Sequence, residues 1–236
     1  MNRNNFLAAS ASLAAASAAT PALAQSVPGG SHFVERKSDF DIAGFAKLVG
    51  RPAKIRQVFE QVAFKPPVLS NIKNAMNGLQ FGFGHAPADM IVAFGGHGPS
   101  AAFGYSDYLW EKYKLADYYP LKDAQGNPVT SNTYLKAKAT FDTSADPDDA
   151  NGMYQDTSIE MLQKRGLLML TCHTAVEEQA KGIVKAGNAP AGMAAKDVAD
   201  DILTHLIPGA IVVPSMVATM AVLQADHKFT YAALTF

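Results

Sequence analysis

Apolar residues along this chain fall into two rhythms. Short continuous runs, Met90-Ile91-Val92-Ala93-Phe94, Leu167-Leu168-Met169-Leu170 and Ala210-Ile211-Val212-Val213, lie next to Gly or Pro. They are too short for helices and read as strands buried on both faces. Between them the period lengthens. Leu69, Ile72, Met76, Leu79 and Phe83 recur at helical spacing, with Asn71, Lys73, Asn74 and Asn77 on the other face. Helices are also predicted from Ser38 to Val49, from Ser106 through Leu115 and from Thr157 through Arg165. Three more follow Cys172, Asp197 and Ser215. Residues 54–63 (Ile55, Val58, Phe59, Val62) form a first strand and residues 229–234 a last, aromatic one. Ser38, Ser106 and Thr157 are the expected caps. Strands alternating with helices predict an α/β fold of three layers, a mostly parallel sheet with helices on both faces.

Two stretches break the alternation. Residues 116–152 carry Pro120, Gly126-Asn127-Pro128, Asp146-Pro147 and Asn151-Gly152, and only residues 133–141 show enough periodicity for a local element. This reads as an insertion in one domain, since neither flank closes a sheet alone. Tyr118, Tyr119, Tyr134 and Phe141 either cover a pocket or pin that loop to the surface. At the other end, Met1 to Asn5 is a weakly positive start, Phe6 to Thr20 is Ala/Ser/Leu-rich and apolar, and Ala22-Leu23-Ala24 is an A-x-A site. The expectation is an export signal cleaved after Ala24, giving a periplasmic or otherwise exported protein. Arg3-Asn4-Asn5-Phe6-Leu7 is like a twin-arginine signal whose second Arg is Asn, leaving both the general and the folded-protein export routes open. Residues 25–53 then form a loosely ordered lead and a short helix, and residues 54–236 a single domain.

Charge narrows the function classes. A formal net charge of −1 leaves no basic stripe for nucleic acid and no polybasic segment for a membrane surface. The single Cys, Cys172, has no internal partner for a disulfide. In an oxidising compartment an idle exposed thiol is a liability, so Cys172 is buried and inert, paired between chains, or free and reactive.

Cys172 ends the run Leu167 to Thr171 and precedes a helical segment. It therefore falls at the carboxyl end of a strand and the amino end of a helix, where open α/β sheets take their ligands. The helix start is expected to favour the thiolate, the nucleophilic form. His173 is a candidate neighbouring cation or general acid, although adjacent helical residues point about 100° apart. His97, in the loop after another buried strand, shares the sheet edge with Cys172 and is the better second candidate. Around them Gly95, Gly96, Gly98, Ser100 and Thr171 are the expected ligand-pocket residues. Gly96-His97-Gly98-Pro99-Ser100-Ala101 also fits G-x-G-x-x-A, the dinucleotide fingerprint, but not on a first strand and with Pro99 stiffening the turn. A backbone N–H anion cradle or a plain tight turn fits it better. No metal site is expected: the His residues are scattered, and the acidic run from Asp146 to Gly152 lacks a ligand at Ala150 and has Thr157 where a bidentate Glu belongs. No cofactor is implied.

The strand ending in Cys172, the following helix-loop-helix, Pro208-Gly209-Ala210-Ile211-Val212-Val213-Pro214, Ala221-Val222-Leu223-Gln224 and Phe229-Thr230-Tyr231 together resemble the DsrE/DsrF-like family. The resemblance runs from about Lys54 to Phe236 and is most specific from Gly166 onward. It implies a flavodoxin- or Rossmann-like α/β fold, a homotrimer or homohexamer, and a persulfide on Cys172 exchanged with a sulfur donor or acceptor protein or a small thiol. The leading helix, the export signal and the insertion depart from the sulfur-relay members. Two readings stand: an exported protein handling sulfane sulfur or thiol redox through Cys172, and a non-enzymatic oligomeric binding module in which Cys172 is structural.

Overall fold

The computed structural model describes residues 34–233. The export-signal reading falls on residues 1–33 and lies outside them. The core is a five-stranded sheet, β1 (Ile55–Gln61), β2 (Met90–Gly96), β3 (Leu167–Cys172), β4 (Ala210–Val213) and β5 (Thr230–Ala233). All neighbours are parallel, in the order β4-β3-β2-β1-β5. The predicted α/β class with a parallel sheet is what the molecule has.

Side-chain alternation divides the sheet into two faces. Phe59, Val92, Phe94, Leu167 and Met169 pack with α2 (Pro67–Asn77) and α5 (Ile159–Lys164). Val58, Ile91, Ala93, Leu170 and Cys172 belong with Val49 of α1 (Ile42–Val49) and with Met216, Met220 and Leu223 of α8 (Met216–Ala225). Every residue of β2 is buried, as expected of the strand at the centre of a covered sheet. Gly95 exists for this packing: a Cβ there would come 2.6 Å from Met220 Cε and 2.7 Å from Met216 Sδ. After β2 the chain forms a 3-10 segment, Gly98–Gly104, against which α6 (His173–Lys185) packs, and α6 in turn packs along α7 (Ala195–Thr204).

Several local expectations shift. Asp41, not Ser38, caps α1, its Oδ1 accepting from Gly44 N at 2.8 Å. The helix after Ser106 ends at Lys112, because Lys114 turns left-handed (φ 47°), and the chain restarts as α4 (Leu115–Tyr118). Ser106 makes no capping bond to α3 (Asp107–Lys112). Ser158 Oγ, not Thr157, accepts from Met161 N to cap α5. Residues 133–141 form turns and irregular chain instead of a regular element, so from Tyr119 to Ser158 the described chain has neither helix nor strand beyond the bridge between Lys122 and Pro128.

That long stretch is nonetheless tied down by buried polar groups. Asn132 Nδ2 donates to Phe103 O (3.0 Å) and Tyr105 O (2.9 Å), and Asn132 Oδ1 accepts from Tyr134 N. Asp156 accepts from Lys138 N, Ala139 N and Ser158 N. Met153 and Tyr154 bury against Met161 of α5. Polar anchors leave no hydrophobic period, which is why a segment this well held has no sequence rhythm.

Two outcomes follow from these anchors. Asn132→Ala strands two carbonyls inside the protein and should lower unfolding free energy by about 2–4 kcal/mol in urea titrations, against a few tenths for Asn127→Ala on the exposed turn. For pH, burial raises the Asp156 pKa, but the amides of Ala139, Ser158 and Lys138 lower it more, leaving it below the usual carboxylate range. The Ala137 amide lowers Glu160 likewise. Groups depressed on folding stabilise above their unfolded pKa, roughly pH 4, and lose that contribution as pH falls through the folded value. Melting temperature should therefore drop below about pH 4, and Asp156→Asn should flatten part of that drop.

Candidate functional site

Strand β3 passes into α6 with no loop: Cys172 is the last strand residue and His173 the first helical one. The adjacent strand β4 does nearly the same, reaching α8 through Pro214 and Ser215. Because Cys172 is in register with Val213, the two helix starts sit side by side. Met216 N, the first amide of α8, donates to Cys172 Sγ at 3.3 Å. Thr174 N, in the first turn of α6, donates back to Pro214 O at 3.3 Å.

The segment leading into α1 lies against the start of α6 beside the thiol. Glu35 Oε1 accepts from Thr174 Oγ1 at 2.7 Å and lies 3.2 Å from His173 Nδ1. Phe40 sets its ring edge-on to His173, centroids 5.5 Å apart. Cys172 is only 4 % exposed. Burial pushes its thiol pKa up, the amides of Ala175 and Met216 pull it down, and the Glu35 carboxylate pushes it up again, for a net rise. The helix start does act in the expected direction, though Cys172 closes no capping hydrogen bond with α6. Desolvation outweighs it, so the expected thiolate is a neutral thiol in this arrangement. The lead from Val34 to Lys37, expected to be loose, is tied to α6 through Glu35.

His173 is buried and turned to Glu35, away from any general-acid role toward Cys172 in this arrangement. His97 Nε2 lies 2.7 Å from Glu60 Oε1 at the end of β1, without hydrogen-bond alignment. Glu60 Oε2 in turn accepts from Tyr231 of the edge strand β5, and that bond first, then burial, pushes the phenol up to about 12. His97 thus belongs to a Glu60 and Tyr231 cluster on β1 and β5, while Cys172 is served by β4, α8 and Glu35.

The expected glycine pocket is mostly packed shut. Gly95 meets two methionines, and Gly96 closes on Ser100 O, 2.9 Å from where a Cβ would be. Ser100 Oγ bonds Gln61 O and His97 O. Thr171 is buried, its Oγ1 2.8 Å from the place of a Cβ on Gly104. Gly98, at φ +54°, does reach a cavity. The turn's amides are also engaged: His97 N donates to Gln61 O and Ser100 N to Val62 O. With Pro99 lacking an N–H, the turn ties β2 to the end of β1 and presents no cradle of free amides. Among the described residues no group of three or more His, Cys, Asp or Glu is placed to hold a metal. Asp146 and Asp149 instead accept from amides two residues on and close turns.

The cavity that Gly98 reaches is of about 600 Å³, bounded by Phe64, Pro99, Tyr118, Tyr119 and the inner face of α6 at Ala175 and Gln179. Tyr118 and Tyr119 therefore line a pocket, Tyr134 packs against Phe64 and Phe103, and Phe141 stays largely exposed. Glu35, Phe40 and Glu60 had no sequence signal, because each acts across more than thirty residues of chain. No family model, curated protein or solved structure matches this chain.

Replacing the Glu35 carboxylate with an amide removes one influence that raises the thiol pKa and weakens the hold on Thr174. Glu35→Gln should lower the pH midpoint of native Cys172 alkylation and raise its rate at pH 7 by about three- to tenfold. An unchanged pH profile measured with iodoacetamide would show that Glu35 does not govern the thiol.

Proposed function

We propose that the protein is an exported, DsrE-like thiol carrier that handles sulfane sulfur or forms a mixed disulfide on Cys172. The observation that carries this reading is the convergence of two helix starts on one sulfur, with Met216 N donating to Sγ at 3.3 Å. An amide aimed at sulfur from a helix start stabilises the anion that forms when the thiol ionises. Once the Glu35 strap lifts, the thiolate attacks the outer sulfur of a persulfide donor. A new S–S bond forms on Cys172, the donor's own S–S bond breaks, and the donor leaves as a thiolate that takes up the proton Cys172 gave away. No net oxidant is needed. The resemblance also implies a trimer or hexamer, and α8 supports self-association. It carries no charged residue between Met216 and Ala225, and Val217 (67 %) and Val222 (40 %) stand exposed on it.

A second reading, a binding module with a structural Cys172, draws on the burial of the thiol and on the separate aromatic cavity. Incubating the folded protein with a small persulfide and recording its intact mass separates the two. The carrier reading expects one added sulfur atom, lost in Cys172→Ser and enhanced in Glu35→Gln. If neither the native protein nor Glu35→Gln gains sulfur, while the urea-unfolded chain alkylates normally, Cys172 is a packing residue.

A further inference from the structure

The aromatic cavity is not needed for the thiol chemistry, and its walls are specific enough to define what it takes. It lies over the loops that follow β1 and β2 and against the first turns of α6, the edge of a parallel sheet where ligands bind. Its volume, about 600 Å³, is within the range of small-molecule sites. We propose that it binds a neutral, planar aromatic molecule, held between Phe64, Tyr118 and Tyr119.

The amide groups at the inner wall of the cavity are mostly committed to the protein, which leaves the neutral phenols of Tyr118 and Tyr119 as the polar groups facing a guest. Gln179 spends both ends of its amide: Nε2 donates to Gly98 O, and Oε1 accepts from Tyr105 Oη at 2.7 Å. Ser100 N donates to Val62 O, Pro99 has no N–H, and the Ala175 amide is turned to the sulfur. Charge occurs only at the rim, where Lys65 and Glu178, both exposed, carry opposite signs. A phosphate or carboxylate would be desolvated here with only neutral phenols, and no buried cation, to meet it.

The rings, by contrast, pack against one another. Phe64 stacks on Phe103 with centroids 4.2 Å apart and lies 4.9 Å from Tyr119. Tyr118 forms the outer wall by lying over α6 where Gly182 has no side chain, since a Cβ there would stand 2.5 Å from the phenol oxygen. Rigid aromatic walls present faces and edges to which a planar ring adds by offset or edge contact. The one tryptophan, Trp110, is 5.8 Å from Phe64 and 5.9 Å from Tyr119, so an aromatic guest that absorbs its emission reports directly on occupancy.

The test uses the folded protein, Trp110 fluorescence and two probes of one aromatic skeleton: neutral N-phenyl-1-naphthylamine and its sulfonate, 1-anilinonaphthalene-8-sulfonate. The neutral probe should quench Trp110 saturably and bind at least about tenfold more tightly than the sulfonate. Tyr118→Ala, a change at a partly exposed side chain, should weaken it about tenfold. Ala63→Phe, which fills the cavity from an exposed position, should abolish quenching while the circular dichroism stays that of the parent. Cys172→Ser should bind as the parent does, so loss of sulfur transfer and loss of this site are told apart. Equal binding to Ala63→Phe, tighter binding of the sulfonate, or no saturable quenching by the neutral probe would each overturn the proposal.

Discussion

The structure around the thiol depends on a reciprocal pair of backbone contacts between two strand-to-helix junctions. Thr174 N of the β3–α6 junction donates to Pro214 O, and Met216 N of the β4–α8 junction donates to Cys172 Sγ. Parallel neighbours in register bring the two junctions level, and helices that begin without a loop leave their first amides facing each other's chain. The first amides of a helix have no partner within it. Here each junction supplies an acceptor for the other, so the sulfur is part of the scaffold's amide accounting as well as its only thiol.

Burial is the largest influence on the protonation of the thiol, and Glu35 adds to it. Glu35 holds the strap down through Thr174 and His173, and the same carboxylate raises the thiol pKa by its charge. Burial of the sulfur raises it further. Burial and the Glu35 charge thus act in the same direction, both favouring the neutral thiol. Coupling of this kind keeps an unpaired thiol from oxidation for as long as it is covered.

The fold was readable because burial on both faces leaves continuous apolar runs, as in Met90 to Phe94, and one-sided burial leaves a helical period, as in Val68 to Asn77. Cys172 was readable as the residue where one pattern gives way to the other. What surrounds it was not. Glu35 and Phe40 reach it from a lead with no rhythm, and Glu60 pairs with His97 across a strand pairing that periodicity does not encode. The glycines after β2 read equally well as a ligand loop or as packing, and Met216 and Met220, some 120 residues away, decide for packing at Gly95. Caps slipped by one to three positions, from Ser38 to Asp41 and from Thr157 to Ser158, because several adjacent residues offer the same oxygen chemistry.

The first turns of α6 serve two places at once, and they do so with different atoms. The Ala175 amide faces the sulfur while its side chain lines the aromatic cavity, and Gln179, one turn on, ties α6 to the 3-10 segment through Gly98. A helix face can carry this double duty because main-chain and side-chain directions diverge along it. The small side chain at Ala175 matters for the same reason: a larger residue would fill the cavity without touching the amide. Separation of the atoms makes the thiol and the cavity independent sites on one rigid element, and what links them is the position of α6 itself. Any shift of its first turn that relaxes the contact with Pro214 also moves the cavity wall, so the reciprocal junction that positions the sulfur sets the geometry of both.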